Sequence, residues 1–143
     1  MARKHRLYLP GALYHVMLRG NNGQRIFNDN EDRSCFMGFI AEGIGRYGHR
    51  IHAFCLMVNH VHLLIQMGET ALSKVMQNIS FRYTRWMNRR HHRIGHLFQG
   101  RFRVILCDAD AYLLELVRYI HLNPVRAGLV EAPDGYSWSG HRA

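Results

Sequence analysis

Hydrophobic residues along the chain follow two different periods, which predict where its strands and helices lie. Alternation at every second position and short apolar runs predict strands, whereas a spacing of three or four residues predicts helices. The predicted strands cover 13–19, about 51–58, about 60–67 and 96–106. Three helices are predicted. The first covers about 29–47, the second begins at 69–70 and ends before a loop at 89–95, and the third covers 111–122. The elements therefore follow the order strand, helix, strand, strand, helix, strand, helix.

Polar residues, glycines and a proline mark the boundaries of these elements. Asn28 followed by Glu31 resembles a capping box at the start of the first helix. Asn59 interrupts the apolar run of the middle strands, so this run is either one long strand or, as we favour, two strands. Gly100 predicts a bulge in the last strand. Pro124 disfavours helical geometry in the residue before it, so the last helix is predicted to end at Asn123.

This order of elements predicts an α+β fold, a ferredoxin- or RRM-like βαββαβ sandwich with an added C-terminal helix. A chain of 143 residues fits one domain with its own core. We expect a single domain over 1–143, with a basic arm at 1–10 and an irregular tail at about 125–143. The sheet should be antiparallel with helices packed on one face, and the open face of such a sheet commonly binds single-stranded nucleic acid.

Composition excludes several classes of protein. Hydrophobic residues make up 48% of the chain, but no run approaches the roughly 18 residues of a membrane span. The three cysteines are odd in number and lack C-x-x-C spacing, so we expect reduced thiols in a cytoplasmic protein. A phosphate-binding G-x-x-x-x-G-K-[ST] sequence does not occur, so no nucleotide cofactor is expected.

Positive charge points to a polyanionic partner. The formal net charge is +9, and no acidic residue lies between Glu69 and Asp108. A solvated surface is the ordinary explanation of scattered charge, but a long basic stretch rich in arginine favours phosphate contacts. Arg82, Arg85 and Arg89 form a stripe along the second helix. The predicted DNA-binding residues are Arg19, Arg82, Arg85, Arg89, Arg90, Arg93, Phe98, Arg101 and Arg103.

Two histidines, His60 and His62, lie one residue apart in the third predicted strand. Successive side chains of a strand point to opposite faces, so this pair shares a face with Cα atoms roughly 7 Å apart. Two imidazoles at that distance can bind one metal ion. A single histidine in a strand is usually a hydrogen-bonded core residue, but burying two requires two sets of polar partners. The spacing alone leaves both interpretations open.

The last helix carries a tyrosine and an asparagine one turn apart. Tyr119 and Asn123 lie on the same helical face, with Tyr112 two turns earlier. A phenol can attack phosphorus when its proton is removed, and an amide oxygen can serve as a metal ligand. Taken alone, each residue is also explained structurally, because tyrosine is common in helices and asparagine before proline ends them.

Three stretches of the sequence resemble the single-tyrosine transposases that carry a histidine–hydrophobic–histidine (HUH) motif. The stretches are 59–64, 95–102 and 118–130, with the sequences NHVHLL, GHLFQGRF and RYIHLNPVRAGLV. The match is greatest with the REP-associated branch of bacterial transposases. The HUH motif alone is short, but the three stretches in this order are specific, and the resemblance covers about 14–138.

The resemblance implies a metal-dependent transposase that cuts and rejoins single-stranded DNA at sites flanked by hairpins. It implies that Tyr119 is the nucleophile, that His60, His62 and Asn123 hold the metal, and that a 5′-phosphotyrosine forms. Two imidazoles would suit zinc, but the cleavage chemistry of this family implies Mg²⁺ or Mn²⁺.

Two other functions fit parts of the sequence. A nickase of the rolling-circle type would share the HUH site, with Tyr112 as the nearest second tyrosine. A non-catalytic nucleic-acid-binding module on the same fold would not need His60, His62, Tyr119 and Asn123 together. The sequence leaves open whether the protein is a monomer or a homodimer, and whether Tyr119 acts within its own chain.

Overall fold

A computed structural model describes the backbone of residues 9–107 and 109–140, and the side chains of these residues except 109–113 and 134. The predicted basic arm therefore lies almost wholly outside the described residues. The strands are β1 (Leu13–Arg19), β2 (Arg50–Leu56), β3 (His60–Gln66) and β4 (Arg103–Cys107). The helices are α1 (Asn30–Tyr47), α2 (Leu72–Arg90), α3 (Ala109–His121) and α4 (Asn123–Arg126), with 3-10 turns at Asn21–Gly23 and Pro133–Gly135.

The four strands form one antiparallel sheet in the order β2-β3-β1-β4. This confirms the predicted α+β fold with a central antiparallel sheet. The two inner strands, β1 and β3, are the most buried, since each has a neighbour on both sides. The HUH motif therefore lies in the middle of the sheet.

Side chains of alternating strand positions form two separate apolar layers. Tyr14, Val16 and Leu18 of β1 belong to the larger core, which α1 and α2 cover. Leu13 of β1 and Leu64 of β3 belong to a smaller core on the opposite face, which α3 covers. The predicted open face of the sheet is thus partly occupied by the last helix.

Most predicted boundaries agree with the structure. β1 and α1 match their predicted ranges, and β2 and β3 form the hairpin that we favoured over one long strand. The turn is closed by a hydrogen bond from the Met57 amide to the His60 carbonyl, 2.8 Å long. The third helix ends at His121, and Pro124 lies in the first turn of α4, so the predicted stop before the proline is confirmed.

Two local predictions are wrong. The cap of α1 is Asp29 instead of Asn28, because the Asp29 carboxylate accepts the amide hydrogen of Asp32 at 3.1 Å. The last strand does not cover 96–106, since only Arg103–Cys107 pairs continuously with β1. The apolar residues before it, Leu97 and Phe98, are buried in the larger core without forming a strand.

The C-terminal segment packs along the outer edge of β2. The amide of Leu56 donates to the carbonyl of Trp138, and the amide of Gly140 donates to the carbonyl of Phe54, both at 2.8 Å. Tyr136 donates its hydroxyl to the carbonyl of Leu56. This edge of the sheet is consequently covered, and the segment holds β2, the first strand of the HUH hairpin, in place.

Candidate active site

The histidine pair of β3 faces the side of the sheet that α3 covers. His60 and His62 lie with ring centroids 5.0 Å apart and planes nearly perpendicular. His62 is 2% exposed, whereas His60 is half-buried at the mouth of the hairpin. The predicted common face of the two rings is therefore confirmed.

The last helix places Tyr119 beside this pair. Ile120, the next residue, is buried in the smaller core, and it fixes the rotation of the helix over β2 and β3. The ring of Tyr119 lies 6.3 Å from the ring of His62, centroid to centroid, while the residue is 43% exposed. The histidine and tyrosine motifs, which are far apart in sequence, are thus adjacent in one chain.

Asn123 follows directly at the start of α4. Its amide nitrogen lies 3.3 Å from the carbonyl oxygen of Tyr119 and 3.4 Å from that of Ile120. These two hydrogen bonds tie the side chain to the end of α3. The role of Asn123 as a third metal ligand stays a prediction.

Sequence reasoning missed a third histidine at the site. His15 lies on β1, and its Nε2 atom is 3.1 Å from Nδ1 of His62 in a buried hydrogen bond. Its ring also lies 6.0 Å from that of Tyr119, centroid to centroid. A βαββαβ sheet places its first strand beside its third, so the predicted fold could have identified His15 as a neighbour of His62.

Arg126 contacts both the ring and the backbone of Tyr119. Its guanidinium lies 4.1 Å from the centroid of the Tyr119 ring, and it donates a hydrogen bond of 2.7 Å to the backbone carbonyl of the same residue. A planar cation over an aromatic face is a favourable contact. The phenol ring therefore contacts both Arg126 and the imidazoles of His15 and His62.

Burial keeps the histidines of the site neutral. It lowers the pKa of His62 to about 3, with smaller contributions from the positive charge that His60 and His15 would carry. The pKa of His60 is also lowered, first by burial and then by the nearby Arg19 guanidinium. Burial lowers the pKa of His15 as well. Neutral imidazoles keep a lone pair available for a metal ion.

The donor set fits a metal ion at two nitrogens. Nδ1 of His60 is hydrogen-bonded to the side-chain oxygen of Asn59 at 2.8 Å, and Nδ1 of His62 is bonded to His15. Each ring therefore has its Nε2 atom left for an ion, and partners of this kind orient metal-binding histidines. Within 9–107 and 109–140, no group of three or more His, Cys, Asp or Glu side chains is arranged to hold a metal. Further ligands would have to come from the Asn123 amide, the DNA or water.

Some of the predicted DNA-binding residues are paired with other side chains or buried, whereas others are exposed. Arg82 pairs with Glu42, Arg90 pairs with three carboxylates of the α1 N-terminus, and Arg93 bonds to Asn88 and Gln24. Phe98 is only 9% exposed and packs in the larger core.

Arg85 and Arg89 are exposed on α2, which covers the face opposite the histidines. Arg19, Arg101 and Arg103 line a cavity near His60. A role of these residues in DNA binding stays a prediction.

A histidine pair on a central strand, facing a tyrosine on the last helix of a βαββαβ fold, is the arrangement expected of an HUH transposase with one tyrosine. The chain belongs to the family described as "Transposase IS200 like", whose sequence model matches residues 9–123. This confirms the resemblance identified from the three sequence stretches.

Individual relatives agree with this assignment. A protein of Haemophilus influenzae, provisionally named a REP-associated tyrosine transposase, is 28% identical over 157 residues, covering 99% of this chain and 87% of the relative. A solved structure described as a REP-associated tyrosine transposase bound to a REP hairpin shares the fold, with a TM-score of 0.80 at 19% identity. The match covers 94% of this chain and 80% of that chain.

A second solved structure, a protein of Deinococcus radiodurans provisionally named a transposase, has a TM-score of 0.56 at 15% identity. The match covers 78% of this chain and 89% of that chain. In addition, no helix among the described residues is long and apolar enough to cross a membrane.

Proposed function

We propose that this protein cleaves and rejoins single-stranded DNA through a covalent bond between Tyr119 and a 5′-phosphate. The observation that carries the proposal is the meeting of His62 and Tyr119, 6.3 Å apart between ring centroids, on one face of the sheet. Pure nucleic-acid binding would not require a half-exposed tyrosine beside buried, neutral imidazoles.

The reaction is a transesterification. The phenolic oxygen of Tyr119 attacks phosphorus, the bond from phosphorus to the 3′-oxygen breaks, and the phenol loses its proton while the 3′-oxygen gains one. The reverse step, with a 3′-hydroxyl as the attacking group, reseals a strand and frees the phenol. Because the phosphodiester energy is kept in the tyrosine ester, no nucleotide hydrolysis is needed.

The ion that we propose for this site is Mg²⁺ or Mn²⁺, held by His60, His62 and Asn123. When bound, it would polarise a non-bridging oxygen of the phosphate and orient the ester. Two residues support the site without contacting the ion: His15 orients His62, and Arg126 holds the ring of Tyr119. The IS200-like family supports dependence on a divalent metal.

The proposed substrate is a single strand flanked by a DNA hairpin. A structure of the same fold is described as bound to a REP hairpin, and the chain has a formal net charge of +9 that suits DNA. Since Tyr119 and His62 belong to the same chain, the arrangement supports cleavage within one protomer. The geometry needs no partner subunit to bring the two motifs together.

The proposal is tested by covalent trapping. The wild-type protein is incubated with a labelled hairpin oligonucleotide carrying a single-stranded extension and Mn²⁺, and then separated on a denaturing gel. We expect a band of protein bound to DNA that is lost in Tyr119→Phe, and lost in His60→Ala without a matching loss of DNA binding. A module that only binds DNA would give no such band on any hairpin.

A further inference from the structure

The ladder between β1 and β4 is interrupted next to the histidines. It runs from Leu13 opposite Cys107 to Met17 opposite Arg103. Beyond this point the next bridge joins Gly20 to Phe98, whereas the same register would place residue 100 there. Two extra residues are therefore inserted on the β4 side, and the segment 99–102 forms a bulge.

The bulge encloses a small cavity on the side of the sheet that carries the histidines. Gly100 has a φ of +54°, which glycine adopts without strain and which turns the segment away from β1. The cavity has a volume of about 250 Å³. We call it the arginine pocket; its lining residues are Met17, Arg19, Gln99, Gly100, Arg101 and Arg103.

Strand register places the arginine pocket beside the proposed metal site. Arg19 lies directly opposite His60, and Met17 lies directly opposite His62. Paired residues of neighbouring strands share a face, and the strands are about 4.8 Å apart. The nearest wall of the pocket is thus one strand away from the histidines.

The three guanidinium groups carry unneutralised charge. Arg19, Arg101 and Arg103 are exposed, and in the described part of the chain none of them lies within 4 Å of a carboxylate oxygen, whereas Arg82 and Arg90 do. The one side-chain contact described among them is the weak approach of Arg19 to the Met17 sulfur, at 3.8 Å. Like charges around one cavity repel each other, and the attraction of an anion bound between them would offset that repulsion.

We propose that the arginine pocket binds a phosphodiester group of the DNA strand next to the phosphate that Tyr119 attacks. The source of the phosphate rests on the proposed function, since a strand cleaved at the histidines would lie next to this pocket. A fixed neighbouring phosphate would set which bond of the strand lies against the tyrosine. The pocket would therefore determine the register of cleavage as well as affinity.

The test uses Arg101→Gln and Arg103→Gln, with Arg46→Gln as the control of equal charge change. Arg46 is exposed on α1, where its guanidinium lies over the Tyr47 ring on the far side of the sheet. Binding of the hairpin oligonucleotide is measured by fluorescence anisotropy over a range of salt concentrations. We expect each pocket variant to reduce the slope of log K against log salt by about 0.7, the value for one single-strand phosphate contact. The control should keep the wild-type slope.

A second measurement locates the contact on the DNA. Oligonucleotides with one neutral methylphosphonate at successive positions are compared with the unmodified strand. One position near the cleaved bond should weaken binding to the wild type, and the same position should weaken binding to Arg101→Gln and Arg103→Gln no further. Equal losses in all variants at every position, or a slope change as large in Arg46→Gln, would overturn the proposal.

These results are independent of catalysis. Suppose that one methylphosphonate position weakens binding to the wild type but not to the pocket variants, while the wild type forms no covalent adduct. In that case the pocket is established and the proposed strand transfer is wrong. If the adduct forms and no position shows coupling, strand transfer stands and the pocket is wrong. Circular dichroism of Arg101→Gln and Arg103→Gln checks that their folding is unchanged.

Discussion

At the scale of single residues, the site depends on hydrogen bonds that the sequence does not reveal. The imidazole of His62 is buried between β1 and α3, and its Nδ1 atom meets His15 at 3.1 Å. For Nε2 of His62 to accept a metal ion, Nδ1 must carry the proton and donate it to His15. In that tautomer His15 accepts the proton of Nδ1 at its own Nε2 atom, so that it orients the His62 ring for the metal.

Replacing His15 should therefore weaken metal binding while the fold is retained. We expect His15→Ala to lower the affinity for Mn²⁺ by about 10–100-fold, the usual effect of losing such a partner, as measured by titration calorimetry without DNA. His52→Ala is the control, because His52 is exposed on β2 and bonds to Gln66 away from the site. Unchanged Mn²⁺ affinity in His15→Ala would contradict the role given to this residue.

Local pattern was sufficient to predict the HUH pair and the tyrosine helix, but it could not identify their partners. The shared face of His60 and His62 follows from strand alternation alone. The pairing of His15 with His62 depends on which strands are neighbours, a property of the whole sheet. Similarly, the arginine stripe of α2 suggested DNA contacts, whereas Arg90 is paired with carboxylates about sixty positions away.

At the scale of elements, a polar cluster fixes α1 against α2. Asp32 is fully buried at the start of α1, where its carboxylate accepts hydrogen bonds from Arg90, His91, Trp86 and the Asn28 amide. Burial raises the pKa of Asp32, but these hydrogen bonds outweigh burial, so its pKa lies below the ordinary value. The cluster holds the two helices in register on the face behind the active site.

Removing the central carboxylate should destabilise the protein. Asp32→Ala leaves the Trp86 indole and the Asn28 amide without their buried acceptor, while Arg90 keeps only the more exposed carboxylates of Asp29 and Glu31. We expect the free energy of unfolding to fall by about 3 kcal/mol, the lower end of the range for a broken buried pair because Arg90 is partly exposed. Urea denaturation measures the change. The exposed pair offers the control: Glu42→Ala, which breaks the contact with Arg82, should change stability far less. Equal effects of the two variants would show that the cluster is not structural.

Element boundaries were predicted where backbone and side-chain signals coincide. Asn59, which interrupts the apolar run, lies in the turn of the hairpin, and Pro124 follows shortly after the end of the third helix. The last strand was predicted too long because Leu97 and Phe98 show the apolar pattern of a strand while they pack as core residues of a loop. An apolar residue indicates burial, and only pairing with a neighbour distinguishes a strand from a buried loop.

At the scale of the whole molecule, buried histidines couple stability to pH. The pKa values of His15, His49, His60 and His62 are all lowered by burial from 6.5. The unfolded chain therefore binds more protons than the folded chain as the pH falls below 6.5. The stabilisation is complete above that pH and is lost progressively below it.

We expect the midpoint of urea denaturation to fall steadily as the pH is lowered from neutral to mildly acidic values. Each histidine contributes at most about 1.4 kcal/mol per pH unit. Carboxylates with lowered pKa values, such as Asp29 with its pKa of about 2, add their loss only at more acidic pH. His49→Leu provides the comparison, since neither ring nitrogen of His49 has a hydrogen-bond partner in the described structure. Its pH dependence should be shallower than that of the wild type, and an identical slope would contradict this account.

The most direct test of the central claim is to identify the residue that becomes linked to DNA. Wild-type protein trapped on a hairpin oligonucleotide is digested with nuclease and protease, and the modified peptide is sequenced by mass spectrometry. The account predicts a nucleotide on Tyr119, attached through its 5′-phosphate. A nucleotide on Tyr112 or on any other residue, or an adduct that persists in Tyr119→Phe, would contradict it.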